Sequence, residues 1–187
     1  SQVYVHSYAS FVMSIFTENT WDWVKKPHIK DYRLLLENEN DFVIAKVKQI
    51  VNEFSVSPFK TLSLQFIENI WPNNSGSLDK YLHLSQKLWN AMCNPHNKTF
   101  SLSESGGMKM LLLKDLMLDF DIVIWDEAQD IPDVHFEIMK KYKDSNVHIL
   151  FGDDYQTINL WRKGMNGMFN TYEAIASLPQ SYRFGKT

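Results

Sequence analysis

The chain has 187 residues, of which 44% are hydrophobic and 14% aromatic, which suits one domain with a buried core and a subdomain. This composition excludes a disordered chain, and the net charge of -3 does not indicate a dedicated nucleic-acid-binding module, which usually carries a basic excess. Cys93 is the single cysteine, so the chain has no internal disulfide framework and fits a reducing, intracellular compartment. No apolar run approaches the roughly 20 residues of a membrane-spanning helix, so we expect no membrane partner. Because strand-like residues follow Ser1 almost at once, we expect the chain to be part of a longer protein.

The first half of the chain is predicted to be mainly helical. Residues 3–6 have the pattern of a short buried strand, and a helix with apolar residues at helical spacing is predicted from Ser7. Between residues 21 and 107 the helical period dominates and strand-like runs are scarce, which predicts a helical insertion. Its loops are indicated by proline, asparagine and glycine at residues 58, 72–76 and 94–95.

After residue 107 strands and helices are predicted to alternate. We expect a helix over residues 108–117, a strand over 122–125, a helix after Pro132 capped by Asp130, and a strand over 147–151. Three lysines suit the negative C-terminal end of the helix after Pro132, namely Lys140, Lys141 and Lys143. A further strand is predicted over residues 174–178. The alternation indicates an α/β domain with a parallel sheet.

The most informative stretch is an apolar strand that ends in two adjacent carboxylates, Asp126 and Glu127. The C-terminal end of a strand is where α/β sheets place ligands. In a nucleotide-hydrolysing site the first acid can hold the water shell of Mg²⁺, and the second can orient and deprotonate the water that attacks the γ-phosphate. The alternative is that these acids, with Asp130, only end the strand and cap the next helix.

Four motifs resemble those of one family in order and spacing. Residues 126–130, DEAQD, resemble the Walker B motif of UvrD/PcrA/Rep-like superfamily 1 DNA helicases. Residues 152–162 resemble helicase motif III, and residues 5–9 resemble motif Ib. Residues 178–185 resemble motif IV in the form closest to the F-box DNA helicase branch. The resemblance implies a RecA-like P-loop NTPase domain formed by residues 1–20 and 108–187. A helical insertion comparable to the family's subdomain 1B, residues 21–107, would interrupt it.

The resemblance also implies roles for individual residues. Glu127, Gln156 and Arg183 would serve catalysis, with Gln156 sensing the γ-phosphate and Arg183 acting as an arginine finger. The same three residues and Asp126 would bind ATP, and Asp126 and Glu127 would hold Mg²⁺. Single-stranded DNA would be contacted by His6, Ser7, Trp161, Arg162 and Lys163, with a base stacked on Trp161. The alternatives are a buried core aromatic for Trp161 and a surface salt bridge for Arg183.

The sequence also departs from the family's pattern. Asn159 stands where the family usually has Tyr and Lys163 where it usually has Gly, so one stacking contact is predicted to be lost and a phosphate-contacting cation gained. No GxxxxGK[ST] loop is present, because Gln180 occupies the place of the first glycine before Gly185, Lys186 and Thr187. Since that loop cradles the phosphates, the chain by itself is expected not to hydrolyse ATP.

Two weaker patterns have ordinary alternatives. Cys93 and His96 have the spacing of two zinc ligands, but no second pair accompanies them, which favours an ordinary loop. His6 and Ser7 could suggest nucleophilic catalysis, but the helicase resemblance explains them as a DNA contact.

The resemblance therefore implies that the intact protein is an ATP-dependent helicase. It would move 3′ to 5′ on single-stranded DNA in recombination or repair, in the nucleus of a eukaryote or in the cytoplasm otherwise. The alternative from another class is a non-enzymatic DNA-binding or scaffold protein that keeps the shape of a helicase.

Overall fold

The computed structural model describes residues 27–72, 77–115 and 120–153 together with Ala176. Within these residues no helix combines the length and the apolar character needed to cross a membrane. The predictions for the strand over 3–6, the helix from Ser7 and the strand over 174–178 concern residues that lie outside this part, apart from Ala176.

The described part of the predicted insertion is helical, as expected. Its first four helices are α1 (Ile29–Leu35), α2 (Asp41–Val56), α3 (Leu64–Ile70) and α4 (Leu78–Cys93). Local hydrogen bonds explain two of their starts. The Asn40 side chain accepts a hydrogen bond from the Val43 amide over 3.0 Å, and the Ser63 hydroxyl accepts one from the Phe66 amide over 3.3 Å. These caps satisfy amides that have no partner inside the helix.

The next helix, α5, spans Glu104–Leu113, so the prediction of a helix over 108–117 was wrong at both ends. It begins earlier because the Ser103 hydroxyl accepts a hydrogen bond from the Gly106 amide over 3.1 Å. It ends earlier because Lys114 is extended, and because the Lys141 ammonium group donates to the carbonyl oxygens of Leu111, Leu112 and Lys114. A lysine at a helix C-terminus satisfies carbonyls that lack an intrahelical partner.

The predicted strands form a two-stranded parallel sheet. Strand β1 (Ile122–Trp125) is followed by a 3-10 turn (Ala128–Asp130), helix α6 (Asp133–Tyr142) and strand β2 (Val147–Leu150). In the register Ile122 lies opposite Val147 and Trp125 opposite Leu150. The parallel pairing agrees with an α/β fold, although the RecA-like arrangement remains a prediction.

Helix α6 begins after Pro132 as predicted. Pro132 itself occupies the N-cap position with an extended backbone, and its own side chain makes no capping hydrogen bond. Asp130 lies in the 3-10 turn just before Pro132, and its capping role remains a prediction. Lys140 and Lys141 lie in the last turn, as expected.

The core is continuous from the helices to the sheet. Phe54 of α2 packs edge to face against Phe66 and Trp89, with ring centroids 5.5 and 5.3 Å apart. The same cluster includes Leu111 of α5 and Ile138 of α6. The described residues on either side of residue 107 therefore share one core, and the division into 21–107 and the flanking domain remains a prediction.

Candidate functional site

The ends of the two strands are held together at one edge of the sheet. Beyond the paired residues, the Phe151 amide donates to the Trp125 carbonyl and the Ala128 amide donates to the Phe151 carbonyl, each over 2.8 Å. Because the strands are parallel, their carboxyl ends meet at this edge. The acid pair therefore lies at the same sheet edge as Gly152 and Asp153, which begin the GDxxQ segment, residues 152–156.

The acid pair follows β1 directly, and both side chains are exposed. The Glu127 amide donates to Asp126 Oδ1 over 3.0 Å, so the Asp126 carboxylate closes the turn. Glu127 has φ 52° and ψ 44°, in the left-handed region that L-residues rarely occupy. Such a backbone costs about 1 to 3 kcal/mol and persists only where surrounding contacts hold it.

One such contact comes from Gln129, which is only 3% exposed. Its Nε2 donates to Glu127 Oε2 over 2.6 Å, and its Oε1 accepts from the Asp153 amide over 3.1 Å. No role was predicted for Gln129 from the sequence. The available signal was an amide two residues after the second acid, but its partner Asp153 lies 24 residues further along the chain.

Directly before the acid pair, Trp125 contacts two histidines, His135 of α6 and His148 of β2. Its ring lies 5.3 Å from the His135 ring at 86°, and 6.2 Å from the His148 ring at 19°. The Trp125 indole Nε1–H donates to His148 Nδ1 over 3.0 Å, which requires neutral His148. Burial lowers the pKa of His148 from its ordinary value and so favours this neutral form. These residues were not predicted to belong to the site.

A cavity of about 650 Å³ opens beside the acid pair, a volume within the range of small-molecule sites. The C-terminal part of α2, the N-terminal part of α5 and the turn after β1 surround it. Five carboxylates line it, and no lysine or arginine among the described residues does; the five are Glu53, Glu104, Asp126, Glu127 and Asp130. The described walls therefore attract cations and repel unneutralised phosphate.

The donor chemistry fits Mg²⁺ better than a metal bound wholly by protein. No three histidine, cysteine or acidic side chains converge on one point within the described residues. Mg²⁺ is commonly bound through one or two carboxylates, with water and substrate phosphates completing the octahedron. Asp126 and Glu127 supply that number of oxygen ligands, whereas the phosphates need cations from elsewhere.

Most of the other predicted site residues lie outside the described part of the chain: His6, Ser7, Gln156, Trp161, Arg162, Lys163 and Arg183. Their roles remain predictions. Of the weak zinc pair, Cys93 is partly buried with its Sγ 3.5 Å from Met110 Sδ. Burial raises the pKa of this thiol to about 12, which disfavours the thiolate that a metal would need.

Comparison with known proteins gives one family. The family described as UvrD/REP helicase N-terminal domain matches residues 29–175. This range contains the helices, both strands, the acid pair and the GDxxQ segment. No curated protein and no solved structure matches the chain.

Proposed function

Since the chain belongs to the UvrD/REP helicase N-terminal domain family, we propose that it carries part of the ATP-hydrolysing site of a DNA helicase. The longer protein would move 3′ to 5′ on single-stranded DNA, in recombination or repair. Within the family, the motif IV residues favour the F-box branch. Residues 1–20 and 108–187 would form the RecA-like domain, and 21–107 the 1B-like insertion.

The observation that carries this proposal is the position of Asp126 and Glu127. They end β1 at the edge where β2 also ends, they border a cavity of about 650 Å³, and a buried amide contacts Glu127. Two carboxylates that only ended a strand would need neither a cavity nor a buried partner. The arrangement favours a site over the alternative in which these acids are structural.

ATP with Mg²⁺ would supply the phosphoanhydride bond that is broken. Asp126 would hold the metal's water shell, because its exposed carboxylate lies directly after β1. Glu127 would orient the attacking water and take its proton as the oxygen bonds to the γ-phosphorus and ADP leaves. Its contact with Gln129 leaves the second carboxylate oxygen to accept that proton.

Binding of the phosphates needs positive charge that the described walls of the cavity do not provide. Arg183 is proposed as one source, acting against the transferring phosphate, and Gln156 as the γ-phosphate sensor. The sequence holds no GxxxxGK[ST] loop, so we propose that the 187-residue chain does not turn over ATP by itself. Turnover by the purified chain, well above that of Glu127→Gln, would contradict this point.

DNA would bind at a different part of the same domain. Trp161 is proposed to stack on a base, with Arg162 and Lys163 contacting phosphates. His6 and Ser7 would add a contact near a helix N-terminus. Because Gln156 and Trp161 lie five positions apart in one segment, that segment would connect the nucleotide to the DNA.

A second candidate is a non-enzymatic DNA-binding or scaffold protein that keeps the helicase fold, and the acidic described walls of the cavity, which repel phosphate, favour it. Strand separation by the longer protein distinguishes the two. The proposed helicase separates a duplex with a 3′ single-stranded tail only when ATP and Mg²⁺ are present, and Glu127→Gln abolishes this activity. A scaffold protein binds the same DNA and separates no strands under any of these conditions.

A further inference from the structure

The Gln129 side chain joins the acid pair to the segment that follows β2. It donates to Glu127 Oε2 over 2.6 Å and accepts from the Asp153 amide over 3.1 Å. A carboxylate only accepts and a backbone N–H only donates, so one orientation of the Gln129 amide satisfies both partners. The two neighbours therefore fix this side chain.

Burial makes these two hydrogen bonds hard to exchange for water. Gln129 is 3% exposed, whereas the acids that it follows are exposed. A buried amide without partners is costly, and a hydrogen bond to a charged group is among the stronger ones. The Glu127 carboxylate is thus held from its buried side while its other side faces the cavity.

Gly152 permits this close approach. A Cβ atom at position 152 would lie 2.6 Å from Gln129 Oε1 and 3.1 Å from the Gln129 backbone nitrogen. Its φ is not positive, so a larger residue meets crowding by Gln129 and no backbone strain. Replacing the glycine of GDxxQ therefore displaces the Gln129 amide without touching either acid.

The backbone of Glu127 needs such support. It lies in the left-handed region, and its carbonyl accepts from the Asp130 amide over 3.0 Å within the 3-10 turn. From these contacts we infer that Gln129 is a positioning residue. It holds the Glu127 carboxylate for proton transfer and couples it to the segment that starts at Gly152. The role in proton transfer rests on the proposed function, whereas the structural link between Glu127 and the segment that starts at Gly152 does not.

The structural part is tested on the 187-residue chain by exchanging the two side chains. Gln129→Glu places two carboxylates against each other and lowers Tm. When Gln129→Glu is combined with Glu127→Gln, the hydrogen bond returns with its roles reversed, and the carboxylate at position 129 still accepts from the Asp153 amide. We expect the double variant to melt about 2 to 4 °C above Gln129→Glu. A double variant no more stable than Gln129→Glu overturns the inference.

Amide exchange at Asp153 gives a second, local readout. Gln129→Met keeps the volume and removes both hydrogen bonds, so the Asp153 amide is expected to exchange about tenfold faster. Gly152→Ala is expected to do the same, and the double variant with exchanged side chains to keep the parental rate. Unchanged exchange in both Gln129→Met and Gly152→Ala would contradict the role given to Gln129.

The catalytic part is tested in the longer protein that carries a phosphate-binding loop. Gln129→Met is expected to lower kcat about tenfold and to change KM for ATP less than twofold. In a Glu127→Gln background it is expected to cause no further loss, because it acts through Glu127. A further tenfold loss in that background overturns the inference. If Glu127→Gln itself leaves turnover unchanged, the proposed function fails, while the melting and exchange results still decide the structural part.

Discussion

Trp125 donates its indole Nε1–H to His148 Nδ1 over 3.0 Å, which ties the residue directly before the acid pair to the neighbouring strand. The Trp125 and His148 rings lie nearly parallel, at 19°. His148 Nε2 is buried and has no hydrogen-bond partner among the described residues. The contact exists only while His148 is neutral, which makes it sensitive to acid.

The first prediction concerns acid stability. Because burial lowers the pKa of His148, the unfolded chain binds a proton more readily than the folded chain. The free energy of unfolding should therefore fall as pH drops below the ordinary histidine pKa of about 6.5. His148→Gln offers an acceptor for the indole without titrating, so its stability should fall less between pH 7 and 5. Urea denaturation at each pH measures the free energy of unfolding of both proteins.

Exposed His96 provides the control, since His96→Gln should keep the parental pH dependence. His135 packs edge to face with Trp125 and remains in all these variants. If His148→Gln and the parent lose stability in parallel on acidification, the role given to His148 is wrong.

The second prediction concerns Lys109, whose side chain is fully buried under the C-terminal end of α2. Its ammonium group donates to the carbonyl oxygens of Ser57, over 2.9 Å, and Phe59, and it lies 4.1 Å from the centre of the Phe54 ring. Burial lowers its pKa to about 7. Above that pH the unfolded chain holds the proton and the folded chain does not, so stability should rise with pH.

We expect this rise to be on the order of 1 kcal/mol per pH unit between pH 7 and 8.5 in a Cys93→Ser background. That background is needed because the thiol of the unfolded chain ionises at about pH 8.5 and would oppose the rise, whereas tyrosine ionises only at about pH 10. Lys109→Met should remove the slope, whatever its effect on absolute stability. Lys98→Met, at an exposed loop position, should leave the slope intact. A parental slope in Lys109→Met would show that another group titrates.

Strands β1 and β2 and helix α6 were predictable because their signals are local. Continuous apolar runs mark the strands, and Pro132 followed by an amphipathic pattern marks the helix. The bounds of α5 were wrong because the helix was expected to start only after residue 107. In the structure the Ser103 hydroxyl caps the start of the helix. Lys141, 27 residues after Lys114, donates to the Lys114 carbonyl at its end.

The residues of the candidate site also differ in whether their sequence signals are local. Asp126 and Glu127 could be predicted as candidate site residues from sequence, because two adjacent acids after an apolar strand lie in one short segment. The roles of Gln129 and His148 could not be predicted from the sequence. Gln129 contacts Asp153, 24 residues away, and His148 contacts Trp125, 23 residues away; only the parallel pairing of the strands brings these partners together. Residue type in a local pattern indicates a reactive group. The side chains that hold this group in place are known only from the tertiary structure.

The third prediction concerns the DNA end of the GDxxQ segment in the longer protein. Trp161→Ala should weaken single-stranded DNA binding by roughly 1 to 3 kcal/mol for any base sequence, the value of one stacked base. The dependence of affinity on salt should not change, because phosphate contacts set that slope and stacking does not. Normal affinity or an altered slope would indicate that Trp161 is a core residue.

Gln156→Ala should have a different effect, since Gln156 is proposed to sense the nucleotide. DNA affinity should stay near the parental value, while stimulation of ATP hydrolysis by DNA should be reduced. Measuring both quantities for both variants separates the two ends of the segment. A loss of DNA affinity in Gln156→Ala as large as that in Trp161→Ala would contradict the assignment.

The most direct test of the central claim, that Glu127 activates the attacking water, compares ATP binding with single-turnover hydrolysis in the longer protein. Glu127→Gln should bind ATP with nearly the parental Kd and hydrolyse it at least about 100-fold more slowly, because general-base catalysis contributes roughly that much and acts on the transition state. Glu68→Gln, which removes an exposed carboxylate of α3, should keep both values. Hydrolysis by Glu127→Gln at the rate of Glu68→Gln would contradict the account.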